Sequence, residues 1–269
     1  DTVHVPPMVR YVGHSGSGWA LGLHALGVHT HLVDLVGDDP EGLLARERFA
    51  SAGLPFTGVV VPEGTKRSVN LVADDGRRMS FHDGRGQALP AAQVDCHRSL
   101  LGAARHAHVT INDWTRPALR EAVASGHSVS TDLNDWDGVN PYHEEFAFAA
   151  DLVFLSAVAV TERLPEVVGR VFDQGHAALV VSTAGAAGCR VHVRGGSSID
   201  VPAAALPGRP AVDSNGAGDA FGAAFLAAWL SSADPVECAR WGVVAGAWAC
   251  STPGTNGDPI DLPTLRSLL

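Results

Sequence analysis

Short apolar runs alternate with helical stretches along most of this chain, and no other feature narrows its possible folds as much. The runs are not interrupted by polar residues at every second position, as expected for strands that helices cover on both faces. The pattern predicts an α/β fold with a doubly wound, mostly parallel sheet flanked by helices. The candidate strands are residues 30–36, 106–111, 128–132, 152–155 and 177–182.

One segment departs from this alternation. Residues 59–61, 68–73 and 77–81 resemble strands but have no helices between them. The last two are joined across Asp-Asp-Gly at 74–76, a combination typical of hairpins. The sequence therefore predicts a small antiparallel insert that serves as a lid over a site or as an oligomer surface. A hairpin without a functional role is the alternative.

Length, charge and cysteine content limit the number of domains, the kinds of partner and the cellular compartment. At 269 residues and 27.9 kDa the chain fits one large domain spanning residues 1–269. The net charge of -10 repels phosphate backbones and anionic lipid, so we expect neither nucleic acid nor a membrane as partner. The four cysteines, Cys96, Cys189, Cys238 and Cys250, lie far apart in the sequence, which favours reduced thiols and a cytoplasmic protein.

The strongest local signal lies at residues 211–221, where polar residues and two glycines lead into an apolar helix. Glycines let the backbone approach a phosphate, and the first amides of a helix favour an anion. Asp219 is the only charged residue between Asp213 and Asp234. It could merely complement the helix dipole, but beside an anion site it could also accept the proton of an attacking hydroxyl. The pattern favours phosphoryl transfer.

Lys66 narrows the kind of phosphate chemistry. It is the only lysine in the chain, and it does not follow a glycine-rich loop. A Walker A loop needs its lysine on the nucleotide phosphates, so that class of nucleotide site is excluded.

Four segments together resemble the ribokinase-like, or PfkB, carbohydrate kinase family. Residues 213–221, Asp-Ser-Asn-Gly-Ala-Gly-Asp-Ala-Phe, closely resemble its C-terminal signature. Residues 182–188 are similar to its nucleotide-site turn, residues 36–42 to its G-x-D-x-x-G segment, and residues 131–134 to its strand-end D-x-N. The resemblance extends from residue 13 to residue 254 and implies a ribokinase-like fold.

The resemblance also implies a function and a set of site residues. The expected activity is ATP-dependent phosphorylation of a hydroxyl on a sugar or sugar-like small molecule, with Mg²⁺ as cofactor and K⁺ as a further candidate. Asp219 is the implied catalytic base. The other implied contacts are an anion hole at Gly216, Ala217 and Gly218; nucleotide contacts at Thr183, Gly185 and Gly188; acceptor contacts at Asp1, Gly13, His14, Gly18, Asn112 and Asp132; and a monovalent-cation contact at Asp213.

The resemblance to this family implies that the antiparallel insert is a lid. It would comprise approximately residues 55–85 with part of 1–15, close over the acceptor, and pair between subunits in a homodimer.

The sequence departs from the family pattern at three places. His14 stands where the family has a glycine and Gly18 where it has an asparagine, and both positions face the acceptor, so a common sugar is not assumed. The family's N-x-x-E, which helps to organise magnesium, corresponds to Ser-Ala-Val-Ala at 156–159. The usual opening strand is not evident in residues 1–8, which contain two prolines.

Other functional classes have weaker support in the sequence. Residues 16–21 approach a dinucleotide-binding G-x-G-x-x-G, but Leu21 replaces the last glycine. Residues 13–17 approach a hydrolase nucleophile elbow, but Ser17 replaces its last glycine. Two alternatives stay open: a nucleoside kinase, in which Trp19 and Trp114 could stack a base, and a catalytically weak regulatory relative, suggested by the lost N-x-x-E.

Overall fold

The computed structural model describes residues 7–72, 78–85 and 98–269, with the side chain of residue 78 left aside. Three features named above lie outside these ranges: Asp1, the turn at 74–76 and Cys96. The strands are β1 Leu32–Val36, β2 Phe56–Val60, β3 Arg67–Val72, β4 Arg78–Asp83, β5 His106–His108, β6 Ser128–Asp132, β7 Leu152–Ser156, β8 Leu179–Thr183, β9 Cys189–Val193 and β10 Ser198–Val201. The helices are α1 Ser15–Ala25, α2 Pro40–Ala52, α3 Arg98–Ala103, α4 Arg116–Ala124, α5 Glu144–Ala149, α6 Leu164–Gln174, α7 Ala217–Leu230, α8 Pro235–Cys250 and α9 Leu262–Leu268.

A six-stranded sheet forms the centre of the fold, in the order β10-β9-β8-β7-β6-β5. Strands β5 to β8 are parallel, whereas β9 and β10 continue the sheet in antiparallel pairing. Each of the five apolar runs contains a strand at or within a few residues of its predicted bounds. The predicted α/β class with a mostly parallel sheet is therefore confirmed.

Strand β2 corrects one of the predictions. It pairs in parallel with β1, with Val59 opposite Leu35, so residues 59–61 do not belong to an antiparallel insert. The reason is the intervening helix α2, which reverses the chain and allows a parallel crossover. Asp39 caps this helix through a bond from the Gly42 amide at 2.8 Å, and Gly53 ends it at φ 69°. Only β3 and β4 form the predicted antiparallel pair.

The helix after the glycine-rich signature is buried, as its apolar residues predict. Eight consecutive residues of α7, from Phe221 to Ala228, are buried among the main core residues. Helix α1 packs closely against α7 because small residues face each other: a Cβ on Gly22 would lie 2.8 Å from that of Ala223, and one on Gly222 would overlap the ring of Trp19. Among helices in the described ranges, none has both the length and the apolar character needed to cross a membrane.

Gly222→Ala should destabilise the protein because its new methyl group would collide with the Trp19 ring. We expect the free energy of unfolding in urea to fall by about 1–3 kcal/mol, the usual cost of overpacking a core. Gly169→Ala in α6 is the matched control. A Cβ there meets nothing within 4 Å, so greater helix propensity should make it neutral or slightly stabilising. Equal stability of the two variants would contradict this account of the α1–α7 contact.

Candidate active site

The carboxyl ends of three parallel strands meet at one edge of the sheet. Asp132 ends β6, Ser156 ends β7 and Thr183 ends β8, and Ser156 lies opposite Thr183 in the register. In open α/β sheets, ligands bind at this edge. The amino end of α7 also contributes to this region, because Asp219 in its first turn is close enough to Asp132 to be affected by its charge.

The turn at residues 216–218 presents free backbone donors. Gly216 begins the turn at φ 79°, a conformation that suits glycine, and no side chain caps the helix. Within the described part of the chain, the amides of Gly218 and Asp219 have no hydrogen-bond acceptor, whereas the Ala217 amide donates to the Ser214 carbonyl at 3.3 Å. A Cβ on Gly218 would meet nothing within 4 Å. Open space therefore faces a helix amino end, an arrangement suited to an anion.

Asp219 is partly exposed, although protein atoms surround its carboxylate closely, and it lies beside a cleft lined in part by Gly18, Gly216, Ala220 and Asn256. Ser15 donates a hydrogen bond to its Oδ1 at 2.7 Å. Its other oxygen lies beside Gly18, where a Cβ would come within 2.9 Å of Oδ2. Burial raises the pKa of Asp219 to about 7; the Ser15 hydrogen bond opposes this rise, and the charge of Asp132 adds to it. A carboxyl group with this pKa can accept a proton near neutral pH.

The predicted nucleotide-site turn follows β8 directly. A short 3₁₀ turn spans residues Gly185–Ala187, and the Ala184 amide donates to the Gly188 carbonyl at 2.8 Å. Gly188, at φ 91°, packs against the Val201 carbonyl, so a larger residue would not fit there. Gly185, at φ 55°, has open space at its Cβ position. The backbone of this turn is thus held by β10 on one side and accessible on the other.

Of the predicted acceptor residues in the described ranges, Gly18 lines this cleft and the others lie on neighbouring segments. His14, at φ 84°, immediately precedes α1, and Gly18 lies one turn further along beside Asp219. Asn112 accepts a hydrogen bond from Lys66 at 2.9 Å. Burial raises the pKa of Asp132 to about 6, although its Oδ1 accepts the Asn134 amide at 2.8 Å. Gly13 precedes His14 in the same segment, so the predicted acceptor residues that the structure describes line one region.

Sequence reasoning missed three residues of this region. Ser15 touches the carboxylate of Asp219 from α1, and no local pattern indicates that contact. Asn256 lies in the loop before α9 and packs against Gly18: a Cβ added to Gly18 would lie only 2.7 Å from the Asn256 Oδ1. Asp34 did leave a signal: it is the one charged residue in the apolar strand Leu-Val-Asp-Leu-Val.

Asp213, the residue implied for a monovalent cation, holds two backbone segments together. Its Oδ1 accepts the Asn215 amide at 2.9 Å, and its Oδ2 accepts the Gly254 amide at 3.0 Å. The carboxylate therefore connects the start of the glycine-rich signature to the loop that carries Asn256.

The structure offers no preformed magnesium cage in its described ranges, since no three His, Cys, Asp or Glu residues are grouped there for a metal ion. The segment that replaces N-x-x-E forms a short 3₁₀ turn, Ala157–Ala159, and the Ser156 hydroxyl accepts the Val158 amide at 3.4 Å. A magnesium ion that is coordinated mainly by nucleotide phosphates and water fits this site better than one that needs several protein ligands.

The two tryptophans considered for base stacking are in the core. Trp19 is 1% exposed and stacks on His108 with ring centroids 3.7 Å apart, and Trp114 is 7% exposed. Neither ring has a face free for a nucleobase, so this argument for a nucleoside acceptor is wrong.

Known proteins resemble this chain over its whole length. Residues 1–262 match the pfkB family carbohydrate kinases. Acarbose 7(IV)-phosphotransferase from Actinoplanes sp. is 46% identical, with 98% of this chain and 89% of that protein aligned. ATP-dependent ribose-1-phosphate kinase from Halopiger xanaduensis is 34% identical, with 92% and 83% aligned. The solved structure of the microbiome-derived acarbose kinase Mak1 has a TM-score of 0.91 at 47% identity, covering 100% of this chain and 90% of that one.

The fold, the site and these similarities define a ribokinase-like phosphotransferase. The chain belongs to the PfkB carbohydrate kinase family and is an ATP-dependent carbohydrate kinase. Its kinase relatives imply ATP and Mg²⁺ as cofactors.

The hydrogen bond from Ser15 to Asp219 generates a pH prediction. If Asp219 must be ionised to accept a proton, kcat/KM should be low in acid and rise with an apparent pKa of about 7. Ser15→Ala removes a bond that stabilises the carboxylate, so the rise should move to higher pH. Ser15→Thr keeps a hydroxyl and should restore the parent profile.

Ser17→Ala is the control for the pH measurement. Ser17 is 3% exposed and lies two residues along the same helix, and in the described structure it forms no hydrogen bond with Asp219. An Ser15→Ala profile that coincides with those of the parent and Ser17→Ala would contradict the role of this bond.

Proposed function

We propose that this kinase phosphorylates a hydroxyl of acarbose or of a closely similar oligosaccharide-like acceptor. The support is identity of 46% and 47%, over nearly the whole chain, to two proteins described as acting on acarbose. Substitution of both acceptor-side positions, His14 and Gly18, also favours an acceptor other than a common monosaccharide.

One observation carries the chemistry: a carboxylate with a pKa near neutrality stands beside free helix amides. We assign Asp219 as the base that takes the proton of the acceptor hydroxyl. We assign the turn at Gly216, Ala217 and Gly218, with the free amides of Gly218 and Asp219, as the site that stabilises charge on the transferring phosphoryl group. Thr183, Gly185 and Gly188 would contact the nucleotide at the neighbouring strand end. Gly13, His14, Gly18, Asn112 and Asp132 would face the acceptor.

Further assignments belong to the same proposal. Asp213 would order the backbone around a K⁺ ion, because its carboxylate joins the two loops beside the glycine turn. The pair β3–β4 would act as a lid and as a homodimer surface, supported by its exposed apolar side chains, Val69, Leu71, Met79 and Phe81. A cytoplasmic location fits an enzyme that consumes ATP.

The test is phosphoryl transfer from ATP to a panel of acarbose, ribose, sugar acids, polyols and nucleosides, followed by ³¹P NMR of the products. We expect phosphorylated acarbose with the parent protein. Asp219→Asn should keep the fold and ATP binding but lower kcat by about 100-fold or more, as expected for loss of a general base. If the folded Asp219→Asn variant has a kcat within a few-fold of that of the parent, Asp219 only complements the helix dipole and is not the base.

The same assay addresses the regulatory alternative. Intact ATP binding without turnover of any acceptor in the panel would favour a regulatory relative over a working kinase.

The altered magnesium segment generates a prediction about metal dependence. Because Ser156 and Ala159 replace the polar pair, activity should keep rising into roughly the millimolar range of free Mg²⁺. The double substitution Ser156→Asn with Ala159→Glu should shift this dependence to lower concentration, measured as initial rate against free Mg²⁺ at fixed ATP. Saturation of the parent at low Mg²⁺ would mean that other groups have replaced the pair.

A further inference from the structure

A second polar cluster lies at the acceptor side of the cleft. It brings together Asp34 from the middle of β1, Lys66 just before β3, Asn112 from the loop after β5, and His14 from the start of α1. His14 is adjacent to Ser15, which donates to Asp219, so the cluster lies close to the proposed base. Asp34 and Lys66 have no role in the site as assigned above.

Lys66 is held firmly at this position. Its neighbour Thr65 donates to Asp39 twice, from the amide at 2.8 Å and from the hydroxyl at 2.6 Å. The ammonium of Lys66 donates one hydrogen bond to Asn112 at 2.9 Å. Among the described residues it has no other acceptor, and an ammonium carries three donors. The lysine is therefore oriented by the protein with donor capacity left over.

The carboxylate of Asp34 has unused capacity to accept hydrogen bonds, which complements the unused donors of Lys66. It is partly exposed at the cleft, and within the described ranges its carboxylate accepts one hydrogen bond, from the Leu35 amide at 2.8 Å. Burial raises its pKa, and burial lowers the pKa values of His14 and Lys66, while the opposite charges counteract these shifts. The three groups are near enough to affect one another, yet no direct ion pair joins Asp34 to either partner in the described structure.

Opposite charges that lie near enough to affect each other without forming an ion pair, each with unused hydrogen-bonding capacity, form a preorganised polar site. A carboxylate accepts and an ammonium donates, so together they match hydroxyl groups, which do both. Adjacent hydroxyls of a sugar ring would satisfy both partners at once.

We propose that Asp34 and Lys66, with Asn112, form an acceptor-recognition subsite that binds ring hydroxyls of the sugar substrate. This inference rests on the proposed function and adds specificity-determining residues to it. A purely structural ion cluster is the competing explanation, and binding measurements separate the two.

The test uses acarbose as the probe with Asp34→Asn and Lys66→Met. Loss of a charged hydrogen-bonding partner should weaken acarbose binding by roughly 10-fold or more in calorimetry without ATP, and raise the KM for acarbose correspondingly. The KM for ATP should change by less than about threefold, since the subsite does not touch the nucleotide. Lys66→Arg keeps the charge and should recover part of the affinity.

Asp38→Asn is the matched control, because Asp38 is exposed four residues beyond Asp34 in the same segment. It should leave acarbose affinity, both KM values and the unfolding temperature unchanged. Unaltered acarbose affinity in folded Asp34→Asn and Lys66→Met would overturn the subsite. An equal loss of ATP and acarbose affinity would also overturn it, in favour of the structural cluster.

Failure of the proposed function gives a different result from failure of this inference. If the parent binds acarbose but transfers no phosphate to it, the proposal that acarbose is phosphorylated fails. Weaker acarbose binding in both variants would still support the subsite. If the parent phosphorylates another sugar of the panel and does not bind acarbose, the proposed acceptor is wrong. Weaker binding of that sugar by both variants would then support the subsite, and unchanged binding would overturn it. A parent that binds no sugar of the panel would overturn the subsite.

Discussion

The close contact between α1 and α7 is the constraint on which the site depends. Trp19 fits against α7 only because residue 222 is a glycine, and Gly22 likewise allows the approach of Ala223. This contact brings Ser15 to 2.7 Å from Asp219, although the two residues are 204 positions apart in the chain. A core packing requirement therefore sets the environment of the proposed base, and a change in the packing of either helix would alter the chemistry of the cleft.

Three carboxylates of this region form no direct ion pair among the described residues. Asp219, Asp132 and Asp34 are all densely surrounded by protein, and burial raises the pKa of each. Buried carboxylates without an ion pair reduce stability, and a group of them with raised pKa values is typical of sites that hold ligands. The free amides at the start of α7 are the complementary feature, since they provide positive potential without a cationic side chain. Proton acceptance and anion binding can thus take place side by side.

Much of the fold could be predicted because its signals are local. The five apolar runs became strands, and the segment that follows the glycine-rich signature became the apolar helix α7, as the sequence indicates. The partner of a strand is not a local property. Residues 59–61 have the same character whether they pair in parallel with β1 or in antiparallel with a hairpin, so the sequence placed them in the wrong sheet.

The sequence by itself determined the family signature at residues 213–221 and the alternation of the five predicted strands with helices, because turns, caps and apolar periodicity depend on neighbouring residues. Only the tertiary structure decided that Trp19 and Trp114 lie in the core, and that Ser15 reaches Asp219. It alone also set the near-neutral pKa of Asp219 and brought Asp34, Lys66, Asn112 and His14 near one another. The physical reason is that desolvation and Coulomb interactions depend on which distant segments approach a group, and no local sequence pattern specifies those distances.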